Sequence, residues 1–282
     1  MFRLFVENEK GDKLELTNSD KYDVIEIDGL NPPVANINLV EIANVDGAHF
    51  NSSRIQTRNV VLRLNIKPPI EANRINLYKY FRAKRYVKLS YKNDTRDVYT
   101  EGYVETFENN QFDMTQQPQI SIICPNPFWK STNETEVDFS STSALFEFPF
   151  SIPVGGIEFS RINRVTTTYL NAGEVATGAI IKFHATANGI TNPVFYNLTT
   201  NKFFGLTFEM NEGDEIIINT LQGEKSVSLI RSGTKTNILS ARQALSDWIV
   251  FEPGVNEISY DADHGQANLR VSVIAVQKFE GV

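Results

Sequence analysis

A chain of 282 residues with 41 % hydrophobic and 22 % charged residues is long enough for two domains with separate cores, and aromatic and β-branched residues along its whole length exclude disorder. The formal net charge of −7 argues against general nucleic-acid binding, which needs a basic surface. The single cysteine, Cys124, cannot form an internal disulfide, and in Ile-Ile-Cys-Pro it reads as a small buried side chain ending a strand rather than a reactive thiol.

No apolar run is long enough to span a bilayer. Arg3 interrupts the apolar start and Glu7 to Lys13 is polar, so no secretory signal is expected and the chain is expected to fold in a cytoplasm.

Short alternating segments separated by turn residues dominate. Residues 2–6 and 13–16 flank Glu9-Lys10-Gly11-Asp12, a hairpin-like break. Val24–Ile27 leads into the rigid turn Gly29-Leu30-Asn31-Pro32-Pro33. Asn36 to Asn44 alternates, and Asp46-Gly47-Ala48-His49-Phe50 looks like a turn. Val60–Ile66 places Leu62, Leu64 and Ile66 on one strand face. Glu71 to Ala83 breaks the rhythm: Ile75, Tyr78 and Phe81 or Arg82 recur at helical spacing, which predicts one amphipathic helix of about three turns. Strands resume at 86–91, 98–107 and 119–124, where Pro125-Asn126-Pro127 ends the ladder.

A Ser-, Thr-, Asn- and Glu-rich stretch at 131–143 holds the expected domain boundary, giving domains 1–130 and 131–282. The second half predicts strands at 179–186, 194–198, 202–210, 214–219, 226–230, 256–260 and 268–276, with a short helix at 238–247. Glycine-containing breaks at this spacing argue for a sandwich or jelly roll.

Catalytic signatures are missing. His49, His184 and His264 are far apart and read as ordinary structural histidines. Asp261, Asp263 and His264 share a loop that lacks the calcium-loop pattern and reads as a solvated turn. There is no Gly-x-Ser-x-Gly elbow, phosphate-binding glycine loop or His-Glu-x-x-His pair. No metal or cofactor is expected.

One charge feature stands out. Arg74, Lys79, Arg82, Lys84, Arg85, Lys88, Lys92 and Arg96 run against one acid, Asp94, in an otherwise acidic chain. They form either the solvated face of a helix and hairpin or an assembly contact with an acidic patch on a neighbouring subunit, for which Arg74, Lys79, Arg82, Lys84, Arg85 and Lys88 are the candidates. Phe128-Trp129 and Phe146, Phe148 and Phe150 supply either an inward strand face or a docking strip.

Several motifs then stand together in order. They are Ile27-Asp28-Gly29-Leu30-Asn31-Pro32-Pro33, Asp46-Gly47-Ala48 with Arg54 and Arg58, Val60-Val61-Leu62-Arg63-Leu64-Asn65-Ile66, Gly102-Tyr103-Val104-Glu105, and Ile122-Ile123-Cys124-Pro125-Asn126-Pro127-Phe128. Over roughly residues 1–130 this order resembles the distal tail protein, or baseplate hub, family of long-tailed non-contractile phages. Asn171-Ala172-Gly173, Asn192-Pro193, Gly213-Asp214 and Pro253-Gly254-Val255-Asn256 are similar to that family's C-terminal domain.

The resemblance implies a mainly β protein of two domains. The first is a sandwich or split barrel with one helix, and the second is a galectin-like sandwich. It implies a non-enzymatic virion component at the tail tip. It implies a hexameric ring that stacks on the tail tube protein by one face, holds the tail-tip protein on the other, and passes DNA through its channel. A receptor-binding protein or a host wall glycan is a further implied partner. Gly29, Pro32, Pro33, Asp46, Gly47, Arg54, Arg58, Cys124, Pro125 and Pro127 are its structural motif residues here. The galectin sugar signature, His-x-Asn-Pro-Arg with a later Trp-Gly, is missing, and Trp248 stands in Asp247-Trp248-Ile249. A carbohydrate-binding adhesin and a two-carboxylate wall hydrolase are the rival expectations.

Overall fold

The computed structural model describes residues 2–44, 46–140 and 165–282, and the chain forms two compact units, Met1–Asn133 with Lys278–Val282, and Glu134–Gln277. The last five residues return to the first unit, which nothing in the sequence signals.

In the first unit β1 (Arg3–Asn8), β2 (Lys13–Glu15), β3 (Tyr22–Asp28), β4 (Ala35–Glu41), β5 (Ala48–Ile55) and β6 (Arg58–Ile66) precede α1 (Ile70–Leu77). Then come β7 (Tyr86–Lys92), β8 (Asp97–Glu108), β9 (Gln119–Cys124) and the start of β10 (Trp129–Ser140). Antiparallel pairing gives the order β2-β1-β7-β8-β9-β6-β3. Bulges at Val24/Glu26 and Val104/Thr106 add local twist where the sheet coils around its core. Alternation decides what is inside: Val60, Leu62, Leu64 and Ile66 are buried, as are Val87, Leu89 and Tyr91 opposite Leu4 and Val6.

The helix is shorter than its predicted span and buries another face. Asn73, Arg74 and Leu77 point inward, while Ile75 is exposed. The cause is polar anchoring. Asn73 Nδ2 donates to Lys67 O, and Tyr22 Oη donates to Asn73 O. Past Leu77 the N–H groups of Lys79 and Tyr80 bond three residues back, and this tightening ends the helix.

The second unit comprises the rest of β10, then β11 (Val165–Asn171), β12 (Ile180–Ala185), β13 (Ile190–Thr191), β14 (Val194–Asn197) and β15 (Lys202–Gly205). β16 (Glu209–Met210), β17 (Glu215–Asn219), β18 (Ser226–Arg231), β19 (Thr234–Asn237), β20 (Gly254–Asp261) and β21 (Leu269–Phe279) complete it. Strands β19-β18-β17-β12-β21 form one sheet and β11-β20-β14-β15 another, with β13 and β16 paired separately. Phe183, Ile216, Ile218 and Val273 from the first sheet share a core with Tyr169, Phe195, Phe204 and Tyr260 from the second. This is a sandwich.

Several details differ from expectation. The polar stretch after Ser131 is strand through Ser140. Residues 202–210 split into β15 and β16, and 238–247 contains only a 3-10 turn at Leu239–Ala241. His49 lies in β5 rather than in a turn. Phe146, Phe148 and Phe150 lie outside the described residues.

Candidate functional site

Strands β4 and β5 form a two-stranded ribbon. The register puts Ala35 opposite Ile55, Ile37 opposite Ser53, Leu39 opposite Phe50 and Glu41 opposite Ala48 on one face. Asn36 with Arg54, Asn38 with Ser52 and Val40 with His49 occupy the other. The shift between Asn38 and Leu39 leaves Asn51 as the extra residue, and this bulge rotates Phe50 onto the apolar face beside Leu39. Every residue of both strands is exposed, Phe50 at 65 %, Ile37 at 58 % and Leu39 at 54 %. Covering Ile37, Leu39, Phe50 and Ile55 would be worth about 1–2 kcal/mol each. Asp46 and Gly47 (φ +91°) lie at the ribbon's tip, where Gly47 meets no neighbouring atom.

The root of the ribbon is braced by one arginine. Arg58 is buried, and its guanidinium donates to four main-chain oxygens, those of Gly29, Asn31, Pro127 and Glu280. Carbonyl dipoles thus solvate the charge, and the guanidinium lies 5.7 Å from the Trp129 ring. Burial lowers the Arg58 pKa from its ordinary value. Gly29 (φ +87°) is obligatory, because a Cβ there would sit 2.4 Å from Asn59 O. The Val282 N–H donates to Leu30 O at 3.1 Å, and Gly281 packs against Pro32, so the chain terminus straps this root. Pro33 is half-buried and Pro125 exposed. Cys124 faces Arg58 in the β6–β9 register; it is buried, and desolvation pushes its thiol pKa up, the state of an inert core cysteine.

The basic run divides in the structure. Arg74 is buried, paired with Glu71 and set against the Tyr78 ring, so it presents no free charge and leaves the candidate contact. Lys88 lies 4.0 Å over the Tyr99 ring. Lys84 is exposed, and Lys79, Arg82 and Arg85 line a cleft of about 200 Å³ with Lys10, Tyr80 and Tyr86.

Two family models match the chain, the phage tail protein RIFT-related domain over residues 9–124 and the siphovirus-type tail component C-terminal domain over residues 172–273. The chain belongs to the distal tail protein family of phages. Among solved structures, this distal tail protein is similar to SPP1 Dit, described as a paradigm of the hub adsorption apparatus in phages infecting Gram-positive hosts. That similarity has 16 % identity, covers 99 % of each chain and has a TM-score of 0.71. Two structures of the phage P2 baseplate in its activated conformation, with calcium and with strontium, match at 12 % and 11 % identity over all of both chains, with TM-scores of 0.58 and 0.55. At such identities the likeness is one of fold. No curated protein matches the sequence. The family places the chain in the tail and baseplate as a structural component.

The three histidines do not converge in this distal tail protein. His49, His184 and His264 are exposed on separate elements, and the described residues contain no group of three metal-ligating side chains. Asp263 accepts from Asn192 Nδ2 at 2.7 Å, as part of a turn. Trp248 packs on Phe204 with ring centroids 5.1 Å apart, and the Lys225 and Arg242 cations lie over its ring. No described helix is long and apolar enough to cross a membrane. Sequence reasoning missed the strap at Glu280–Val282. It also missed the bulge at Asn51, whose one signal is Phe50 falling out of phase with Ser53 and Ile55.

Proposed function

We propose that the protein closes a ring by repeated head-to-tail contacts, six copies per turn, and joins the tail tube protein on one face to the tail-tip protein on the other. The observation that carries this reading is the β4–β5 ribbon, an amphipathic arm whose apolar face nothing covers among the described residues. A two-stranded ribbon is marginal by itself, so such a face gains most of its stability from a neighbour. In a ring each copy gives its arm to one neighbour and receives an arm from the other. Its role is geometric and non-catalytic, and DNA only passes through the channel.

Light scattering coupled to gel filtration tests this. The expected mass is about 190 kDa, roughly six times the 31.8 kDa chain. Phe50→Asp with Leu39→Asp should yield folded monomers, since neither side chain contributes to a core. Full assembly by that variant, or a wild-type chain that never assembles, overturns the reading.

A further inference from the structure

The charge of the chain is divided unevenly. The first unit holds 18 Lys and Arg against 18 Asp and Glu, and the second holds 9 against 16, so the whole net charge of −7 belongs to the second. Within the neutral first unit, Lys10, Lys79, Arg82 and Arg85 converge on the cleft beside the β1–β2 turn. Two carboxylates also line it. Glu9 reaches Arg85 at 3.5 Å, and Asp12 is held by Asn8 Nδ2. Among the described residues neither comes within ion-pair distance of Lys79 or Arg82. The cleft therefore keeps an excess of positive charge on its exposed side.

A matching surface lies on β10. Val137 packs on the second core and Thr135 Oγ1 accepts from Gln277 Nε2, so this face of the strand turns inward. Strand alternation turns Glu134, Glu136 and Asp138 outward, where all three are exposed. They stand at the roughly 7 Å repeat of alternate strand residues; Asp138 shares a hollow with Lys182, His184, Glu215 and Arg270, which leaves Glu134 and Glu136 as the carboxylates away from those cations.

We infer that the basic cleft of one protomer receives Glu134 and Glu136 of the next copy. The inference rests on the ring reading and assigns one contact of that ring. The two patches differ from each other, as head-to-tail closure requires. Complementary charge on an exposed rim sets register and speeds encounter, and its effect falls with salt as the screening length drops to about 10 Å at 0.1 M.

The test is a charge exchange in the full chain. Arg82→Glu with Arg85→Glu makes an acidic cleft, and Glu134→Lys with Glu136→Lys makes a basic row. Each variant by itself should self-associate roughly tenfold or more weakly in sedimentation. An equimolar mixture of the two should recover assembly, because each mutated patch then meets its complement on a different molecule. A contact within one chain cannot be restored by mixing. Where a reversal unfolds the chain, a double-mutant cycle of Arg82→Gln and Glu136→Gln reads the same coupling. If wild type and both variants all assemble equally well, or if mixing restores nothing, this inference falls and the ring stands. A wild-type chain that stays monomeric at every concentration overturns both.

Discussion

The guanidinium of Arg58 donates to the main-chain oxygen of Glu280, 222 positions later in the chain. That bond brings the end of the polypeptide onto the turn that launches the exposed ribbon. Gly29 and Asn31, in one turn, and Pro127 supply the other acceptors, so one side chain on β6 ties three other segments together.

Arg58→Ala leaves these carbonyls unsatisfied in a buried site and should cost the first unit about 3 kcal/mol. Arg58→Lys should rescue little, because a single ammonium cannot span the fork of acceptors. Denaturant unfolding followed by Trp129 fluorescence in a Trp248→Phe background measures both. A loss below about 1 kcal/mol for the alanine variant would show that the carbonyls find other donors.

Deleting Phe279–Val282 removes the Glu280 and Val282 bonds while leaving the sheet of the first unit paired. The expected result is a folded chain with faster amide exchange at Asn31 and Val34 and weaker assembly than the wild type. Unchanged exchange there would mean that the strap does not hold the arm.

Gly29→Ala combines a left-handed backbone with a Cβ placed 2.4 Å from a carbonyl oxygen, and should cost about 3 kcal/mol. Gly11→Ala is the control. It also has positive φ (+83°) but open space around it, and should cost about 1 kcal/mol. Thermal unfolding of the pair separates strain from collision.

In the second unit the Arg231 guanidinium and the Asn211 N–H, 2.8 Å away, hold the Asp214 carboxyl below its ordinary pKa. A carboxylate with a depressed folded pKa stabilises the fold above its unfolded value near 4, and that stabilisation is lost as pH falls through the folded value. Asp214→Asn should lower stability at pH 7 by about 1–2 kcal/mol, a modest figure because Arg231 is half exposed. The two proteins should converge in stability as the pH drops below about 4. A constant gap between them across that range would assign the effect to packing instead.

Much of the architecture was legible because period-two alternation records which face of a strand is buried, as Leu62, Leu64 and Ile66 did. The helix was legible only in existence. Its apolar spacing pointed to Ile75, yet hydrogen bonds donated by Asn73 and by Tyr22 turned it the other way. The basic run was legible as composition, but whether each cation faced solvent was not, and Arg74 went inward to Glu71 and Tyr78. Local pattern reports local exposure and is silent on pairing between distant segments.

Taken alone, the order of residues determined a two-part β protein and its turn glycines, since these depend on alternation and backbone freedom over a few positions. Tertiary structure decided that Arg58 is a buried clasp, that a bulge at Asn51 gives the arm one apolar face, and that the last five residues close back on the first unit. Each of these depends on register and on contacts across scores of residues, and such contacts form only when the folded chain brings the segments together.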